Sequence, residues 1–246
     1  MTIAYEQTYQ LRTGDFDRYA RLQPAAVLDV FQDAAGVNAE SVPGMNWKEL
    51  SEAGLFWAIT RIKYEVLETP QIHEQITART WPLAPNRMGF QREYTIKGLD
   101  GRPLVNATSE WVMIDRETRA FASARDFYQD RGIFDFSTET LFDKKIRKIR
   151  NFDWQEQEPA LVVTPSFTDI DINGHVNNSR YTNFVMNALD LKEDEAIHTF
   201  QIDYRHEIHQ GIKIALYTHR EENTITVLGI DPEETCMFAA KIELTQ

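Results

Sequence analysis

The chain has 246 residues, 42% hydrophobic and 26% charged, a composition typical of a globular protein that buries a substantial core. Its formal net charge of -12 argues against a nucleic-acid-binding protein, because phosphate backbones are bound by basic surfaces. The first residues lack the apolar run of a secretory peptide, and no segment has the roughly 20 apolar residues of a membrane span. The single cysteine, Cys236, excludes an internal disulfide, so we expect a cytoplasmic protein.

The first half of the chain is predicted to form a turn, a helix and then four strands. The turn lies at Asp15-Phe16-Asp17, and apolar residues from Leu22 to Ala34 recur at the three-to-four spacing of a helix. An insertion at residues 41–53 separates this helix from the strands. The strands are predicted to open at Ile62 and to span residues 75–81, 91–97 and 104–114.

The second half repeats this order of elements. A strand at residues 161–163 precedes a turn at Asp169-Ile170-Asp171 and a second helix. When the two turns are aligned, Leu22 falls on Val176 and the apolar helix positions also match, so we expect an internal duplication. The strands after the helix are predicted to open at Ile202, with the first continuing to His209, and then to span residues 213–219, 224–230 and 236–244.

Each half therefore has one long apolar helix followed by an antiparallel meander, and the helix must bury its apolar face against one side of the sheet. This arrangement predicts an α+β protein with a double hot-dog fold. We place the N-terminal half at residues 1–130, a connection at 131–158 and the C-terminal half at 159–246.

Polar side chains crowd the start of the second helix, at Asp171, Asn173, His175 and Asn177. The amides and partial positive charge of a helix N-terminus suit a developing oxyanion, and an amide or imidazole side chain can add a donor. Asp and Asn are also the preferred helix caps, so capping is an alternative role. The aligned first-half positions hold Tyr and Arg in place of Asn173 and His175, which favours a functional role in the second half.

A second polar group lies near the end of the first long strand of the second half. Strand alternation places Arg205, Glu207 and His209 on one face. Glu207 aligns with Leu67, so a carboxylate is present at this position in the second half only, which favours a functional role. The alternative is that Glu207 is a surface residue paired with Arg205. His206 and His209 point to opposite faces of a strand, which argues against a shared metal, and we expect no metal or cofactor.

These two segments carry a family resemblance. Asp171-Ile172-Asn173-Gly174-His175-Val176-Asn177-Asn178, followed by Tyr181, resembles the D-x-N-x-H-V-N-N-x-x-Y motif of the acyl-acyl carrier protein (ACP) thioesterases of plant plastids and bacteria. Tyr204-Arg205-His206-Glu207 resembles the Y-R-x-E segment of that family, and Trp57-Ala58-Ile59-Thr60-Arg61 its first-half strand. The resemblance covers nearly the whole chain and implies a double hot-dog fold.

The resemblance also implies a catalytic set, which falls on Asp171, Asn173, His175 and Glu207. Many plant members have a cysteine directly after that Glu; here the residue is Ile208, which excludes a cysteine nucleophile at that position. Two mechanisms stay open: Glu207 and His175 activate a water, or a carboxylate attacks the thioester directly.

The implied activity is hydrolysis of fatty acyl-ACP thioesters to free fatty acid and holo-ACP in fatty acid biosynthesis. The main alternative is an acyl-CoA thioesterase with the same fold and site; a non-catalytic acyl-binding protein and a hot-dog dehydratase are further alternatives. The acyl chain is expected to bind in the first half. We predict that Met45, Trp47, Trp57 and Asn177 contact the substrate.

The expected partner is an acidic acyl-ACP. One strongly basic segment could dock it, or could be a solvated linker. Its charged residues are Lys144, Lys145, Arg147, Lys148 and Arg150. A double hot dog already contains the pair of halves that single hot dogs form by association, so both a monomer and a homodimer are compatible with the sequence.

Overall fold

The computed structural model describes residues 4–41, 46–133 and 135–245. The chain forms two compact units, Met1–Thr13 with Asp29–Ile146 and Gly14–Leu28 with Arg147–Gln246. Within the described ranges, no helix has both the length and the apolar character needed to cross a membrane.

The first unit contains an antiparallel sheet. Its strands are β1 (Tyr5–Gln10), β2 (Leu55–Val66), β3 (Gln75–Pro82), β4 (Gly89–Gly98) and β5 (Pro103–Asp115). They lie in the order β1-β3-β4-β5-β2, and the short β6 (Phe121–Ala122) pairs with β5. Burial on this sheet alternates where one face is covered, as the pleat requires.

Three helices accompany this sheet: α1 (Pro24–Glu40), α2 (Trp47–Glu52) and α3 (Ala124–Asp130). Residues 24–28 of α1 belong to the second unit and the rest to the first. Phe31 of α1 packs on Tyr94 of β4, with ring centroids 4.8 Å apart. Nearby, the buried Arg92 donates to Asn38 Oδ1 at 2.8 Å, so the helix covers the sheet through both apolar and polar contacts.

The second unit has the same topology. Its elements are β7 (Leu161–Val163), α4 (Asn178–Asn187), β8 (Ile197–Tyr204), β9 (Ile214–Glu221), β10 (Thr224–Ile230) and β11 (Cys236–Leu244). The antiparallel order is β7-β9-β10-β11-β8, which matches the first sheet strand for strand. Tyr181 of α4 packs edge-on against Phe238 of β11 at 5.2 Å. The predicted α+β double hot-dog fold is therefore confirmed.

The predicted duplication also holds at the turn before each helix. An isolated bridge joins Phe16 to Leu22 in one copy and Ile170 to Val176 in the other. Ala20, with φ 59°, and Gly174, with φ 84°, occupy the same left-handed position between the bridged residues. The helices α1 and α4 then begin at aligned residues, so the two copies share one backbone path through the turn.

The largest errors in the predicted strand boundaries lie at β2 and β8, and β8 already begins at Ile197, before the predicted Ile202, because Ile197 pairs with Leu244 of β11. β2 begins at Leu55, before Ile62, because Leu55 already pairs with Asp115 of β5. β8 ends at Tyr204, so the residues after it are not a strand. The amides of Arg205 and His206 both donate to the carbonyl of Met237, at 3.0 and 3.1 Å, which ends the one-to-one pairing of an antiparallel ladder.

Candidate active site

A tight turn at Asp171 carries three of the predicted catalytic residues to the start of α4. Asp171 N donates to His175 O at 2.9 Å, and Gly174 N donates to Asp171 O at 3.1 Å. Asp171 Oδ1 accepts the amide of Asn173 at 2.8 Å. The left-handed backbone at Gly174 suits a residue without a Cβ. The turn therefore forms from backbone bonds and one carboxylate, and presents Asn173 and His175 beyond it.

The first-half copy shows which of these contacts belong to the fold. Asp17 N donates to Arg21 O at 2.8 Å, and Asp17 Oδ1 accepts the amide of Tyr19 at 2.8 Å. Arg21 Nε also donates to Asp17 Oδ2 at 2.8 Å. Partial burial opposes ionisation, but the hydrogen bonds from Arg21 and Tyr19 outweigh it and lower the pKa of Asp17. Closing the turn is thus a role that Asp17 and Asp171 share.

In the second half the position of Arg21 is held by His175, whose contact is different. His175 Nε2 lies 3.3 Å from Glu207 Oε2, and both side chains are about one-quarter to one-third exposed (23% and 33%). The pair therefore lies at the surface of the second unit, open to water and to a substrate.

The backbone on either side of Glu207 is held against the start of α4. Val176 N donates to Ile208 O at 2.8 Å, and Ile208 N donates to Tyr181 Oη at 3.3 Å. Burial raises the pKa of Tyr181, and the carboxylates of Glu207 and Asp171 raise it further, so its hydroxyl stays neutral. These bonds fix the position of Glu207 after β8 has ended.

Arg205 has partners in the connecting segment. Its Nη1 donates to Asn151 Oδ1 at 2.6 Å, and its Nη2 donates to Ile149 O at 2.8 Å. Arg205 thus ties the connecting segment to the end of β8, and Glu207 faces His175.

Asn173 and Asn177 differ in what their side chains do. Asn177 is the N-cap of α4: its Oδ1 accepts from Ser179 N and Ser179 Oγ, both at 3.0 Å. The capping role considered from the sequence is therefore present for Asn177, and its contact with substrate stays a prediction. Asn173 is exposed, with Nδ2 3.4 Å from Asp171 Oδ2.

Sequence reasoning missed one residue of this site, His209. Its ring centroid lies 5.1 Å from that of His175. His175, Glu207 and His209 each offer one ligand atom, and these atoms lie within 4.8 Å of one another, a set that could hold a metal ion. The i, i+2 spacing of Glu207 and His209, which predicted both on one face, was the signal for this proximity.

The predicted acyl-chain residues lie in the first unit. Trp57 joins an aromatic cluster, 5.0 Å from the ring of Phe90 and 6.0 Å from that of Tyr128. Trp57 Nε1 and Tyr128 Oη are buried without a hydrogen-bond partner among the described residues. Trp47 begins α2 with 54% of its surface exposed, and Met45 lies outside the described residues. Contact of these side chains with a substrate stays a prediction.

Cys236 lies on β11 and is half-buried. Burial raises the pKa of its thiol, which therefore stays protonated, and its Sγ donates to Phe238 O at 3.3 Å.

Two family models match the chain. The acyl-ACP thioesterase N-terminal domain matches residues 2–130, and the C-terminal domain matches residues 137–242. Among curated proteins, the chain is 24% identical over 220 residues to an oleoyl-acyl carrier protein thioesterase, chloroplastic, of Coriandrum sativum. It is 24% identical over 203 residues to a palmitoyl-acyl carrier protein thioesterase, chloroplastic, of Gossypium hirsutum. These matches cover 83% and 79% of this chain but only 59% and 48% of the relatives.

Solved structures show the same fold. An acyl-ACP thioesterase from Bacteroides thetaiotaomicron superposes with a TM-score of 0.86 at 22% identity, covering 99% of this chain and 98% of the other. The 12:0-ACP thioesterase from Umbellularia californica also gives 0.86 at 22% identity, covering 100% and 98%.

Proposed function

This chain belongs to the acyl-ACP thioesterase family, and on that premise we propose that it hydrolyses fatty acyl-ACP thioesters to free fatty acid and holo-ACP in fatty acid synthesis. The observation that carries the proposal is the partly exposed pair His175–Glu207, 3.3 Å apart beside the start of α4. A carboxylate beside an imidazole can activate water, and the end of a helix supplies donors for an oxyanion.

In the mechanism we propose, a water lies between Glu207 and the thioester carbonyl. Glu207 takes a proton from this water while the water oxygen bonds to the carbonyl carbon of the thioester. His175 holds the water in line for this attack. When the tetrahedral intermediate collapses, the carbon–sulfur bond breaks and the departing thiolate takes the proton back from Glu207. The products are a fatty acid and the carrier thiol.

The carbonyl oxygen gains negative charge in the same step and needs donors. The backbone amides of Ser179 and Arg180 already donate to Asn177. We therefore propose that the backbone amide of Asn178, in the first turn of α4, donates to the carbonyl oxygen of the substrate. The exposed Nδ2 of Asn173 is the second donor. The contacts of Asp171 favour a role in holding Asn173 and the turn.

The test of this function is thiol release from a panel of acyl-ACPs and the matched acyl-CoAs with the purified chain. We expect faster cleavage of the carrier-bound chains. Cleavage of acyl-CoA alone would replace the proposal with an acyl-CoA thioesterase, and cleavage of neither would leave an acyl-binding protein.

We propose that the basic segment docks the carrier. Ile146 and Ile149 are buried with 7% and 8% of their surface exposed, and they hold the segment against the protein. The side chains between and around them point outward. The exposed residues are Lys144, Lys145, Arg147, Lys148 and Arg150. The buried carboxylate of Asp203 accepts the amide of Ile149 at 2.7 Å, which fixes the backbone between the exposed Lys148 and Arg150.

Reversing charge in this segment tests the docking proposal. Lys144→Glu with Lys145→Glu is expected to raise KM for acyl-ACP by about tenfold, because a carboxylate there repels an acidic carrier. KM for acyl-CoA and kcat should change little, and added salt should shrink the difference. The control Lys48→Glu with Lys213→Glu alters the net charge equally at other exposed positions. Equal effects of both variants on KM would contradict a local docking site.

We also propose that the first half binds the acyl chain, with Trp47 among its contacts. Trp47→Ala is expected to shift the preference toward longer chains, because it removes a large side chain and leaves room for additional methylenes. The measurement is the chain-length profile of thiol release, with Phe121→Ala as a control at another exposed aromatic side chain of the same unit. An unchanged profile would remove Trp47 from the binding site. The cytoplasmic location and the oligomeric state stay predictions.

A further inference from the structure

The site contains one side chain that the hydrolytic mechanism does not use. His209 is exposed, and its ring lies 5.1 Å from that of His175. Together with Glu207 they form a group of two imidazoles and one carboxylate whose ligand atoms lie within 4.8 Å of one another. It is the single group of this kind among residues 4–41, 46–133 and 135–245.

The backbone of the turn orients His209. Its Nδ1 lies 3.2 Å from the carbonyl oxygen of Gly174, in the turn that also carries His175. A carbonyl oxygen can only accept, so in this hydrogen bond Nδ1 carries the proton. A neutral ring then has its lone pair on Nε2. Histidines that bind metals are commonly held this way, with the second nitrogen donating to a backbone carbonyl.

The ligand set suits a transition metal of the zinc class. Zinc binds imidazole nitrogen and carboxylate oxygen at about 2.0–2.2 Å, and His₂Glu is one of its catalytic ligand sets. In a tetrahedral site, neighbouring ligand atoms are about 3.4 Å apart. His175 Nε2 and Glu207 Oε2 are 3.3 Å apart already. The longest separation in the group is at most 4.8 Å, so a shift of about 1.4 Å brings the three ligand atoms to tetrahedral spacing.

We propose that His175, Glu207 and His209 bind a divalent transition metal ion such as Zn²⁺, and that this binding reversibly inhibits the enzyme. The ion takes the carboxylate that the hydrolytic step needs as its base, and it draws His175 out of contact with the water. The inhibition rests on the proposed function, whereas the binding of the metal does not.

The binding is tested on the purified full chain by titration with ZnCl₂ in a calorimeter, and with Co²⁺ by its visible absorption, which reports coordination geometry. His209→Gln removes a ligand but keeps the size and polarity of the side chain. His206→Gln is the matched control, since it is exposed and near in sequence but outside the ligand group. We expect one ion per chain, affinity reduced at least about tenfold in His209→Gln, and affinity unchanged in His206→Gln.

The inhibition is tested by thiol release with increasing Zn²⁺, each variant being compared with its own rate without metal. We expect inhibition that a chelator reverses, and a concentration for half-inhibition at least about tenfold higher in His209→Gln. Equal Zn²⁺ affinity of wild type and His209→Gln, or no saturable binding to the wild type, would overturn the proposal. Saturable binding by a chain that cleaves no thioester would contradict the proposed function and leave the metal site in place.

Discussion

Replacing Glu207 with Gln is expected to lower kcat for acyl-ACP by about a hundredfold to ten-thousandfold, the range for loss of a positioned base. Gln has nearly the same shape and can still contact His175, but it cannot take a proton from water. KM should change little, because the variant removes an interaction that matters in the transition state. The measurement is the steady-state rate of thiol release with both constants determined.

The chain offers a matched control for this variant. His219 Nε2 lies 3.1 Å from Glu221 Oε1, a second His–Glu pair in the same unit but outside the turn. Glu221→Gln should leave kcat within about twofold of the wild type. A Glu207→Gln enzyme that keeps most of its activity would remove Glu207 from the mechanism. In heavy-oxygen water, a single turnover that places label in Glu207 would establish direct attack by the carboxylate.

The largest effect on stability is expected at Gly89, where β4 begins. A Cβ on this residue would lie 1.8 Å from the carbonyl oxygen and 2.9 Å from the carbonyl carbon of Trp111 on β5. Both atoms are backbone, so the two strands must separate to accept it. We expect Gly89→Ala to lower the free energy of unfolding by about 3 kcal/mol or more, and the Tm by roughly 6 to 12 °C.

The same substitution at Gly36 is expected to have the opposite effect on stability. Gly36 lies in α1, is exposed, and a Cβ there would meet no atom within 4 Å. Gly36→Ala should therefore stabilise the protein by about 0.5–1 kcal/mol, because alanine loses less conformational freedom in a helix. Thermal unfolding followed by circular dichroism measures both variants. Similar shifts in the two would contradict the clash at Gly89.

The fold followed from local patterns in the sequence. The alignment of Asp15 with Asp169 located both turns, but each helix begins two residues after the aligned Leu22 and Val176, which form bridges within the turns. β10 and β11 were predicted at their observed boundaries, since each is a mostly apolar run between polar turns. Local patterns failed at Arg205, where the strand ends because two amides share the carbonyl of Met237, a residue far away in the sequence.

The contacts within the candidate active site could not be predicted from local patterns in the sequence. From spacing alone, Glu207 was better explained as a surface residue, and only the family resemblance placed it with His175. That pairing depends on a contact between the end of β8 and the start of α4, which no local pattern encodes. The proximity of His209 to His175 depends on the same contact. The role of Asp171 in the turn became clear only beside its counterpart Asp17.

In the duplicated turn, the groups that both copies use to close the turn differ from the side chains proposed to act in the reaction, and this has a consequence for evolution. In both copies the turn is closed by backbone hydrogen bonds and by one aspartate, although the side chain at the position of His175 differs: in the first copy Arg21 bonds to Asp17. Tyr and Arg occupy the positions of Asn173 and His175 in the first copy without changing the path of the chain. Side chains here can therefore be exchanged with little risk to the scaffold, and a lineage can gain, lose or alter a reaction at this turn by single substitutions.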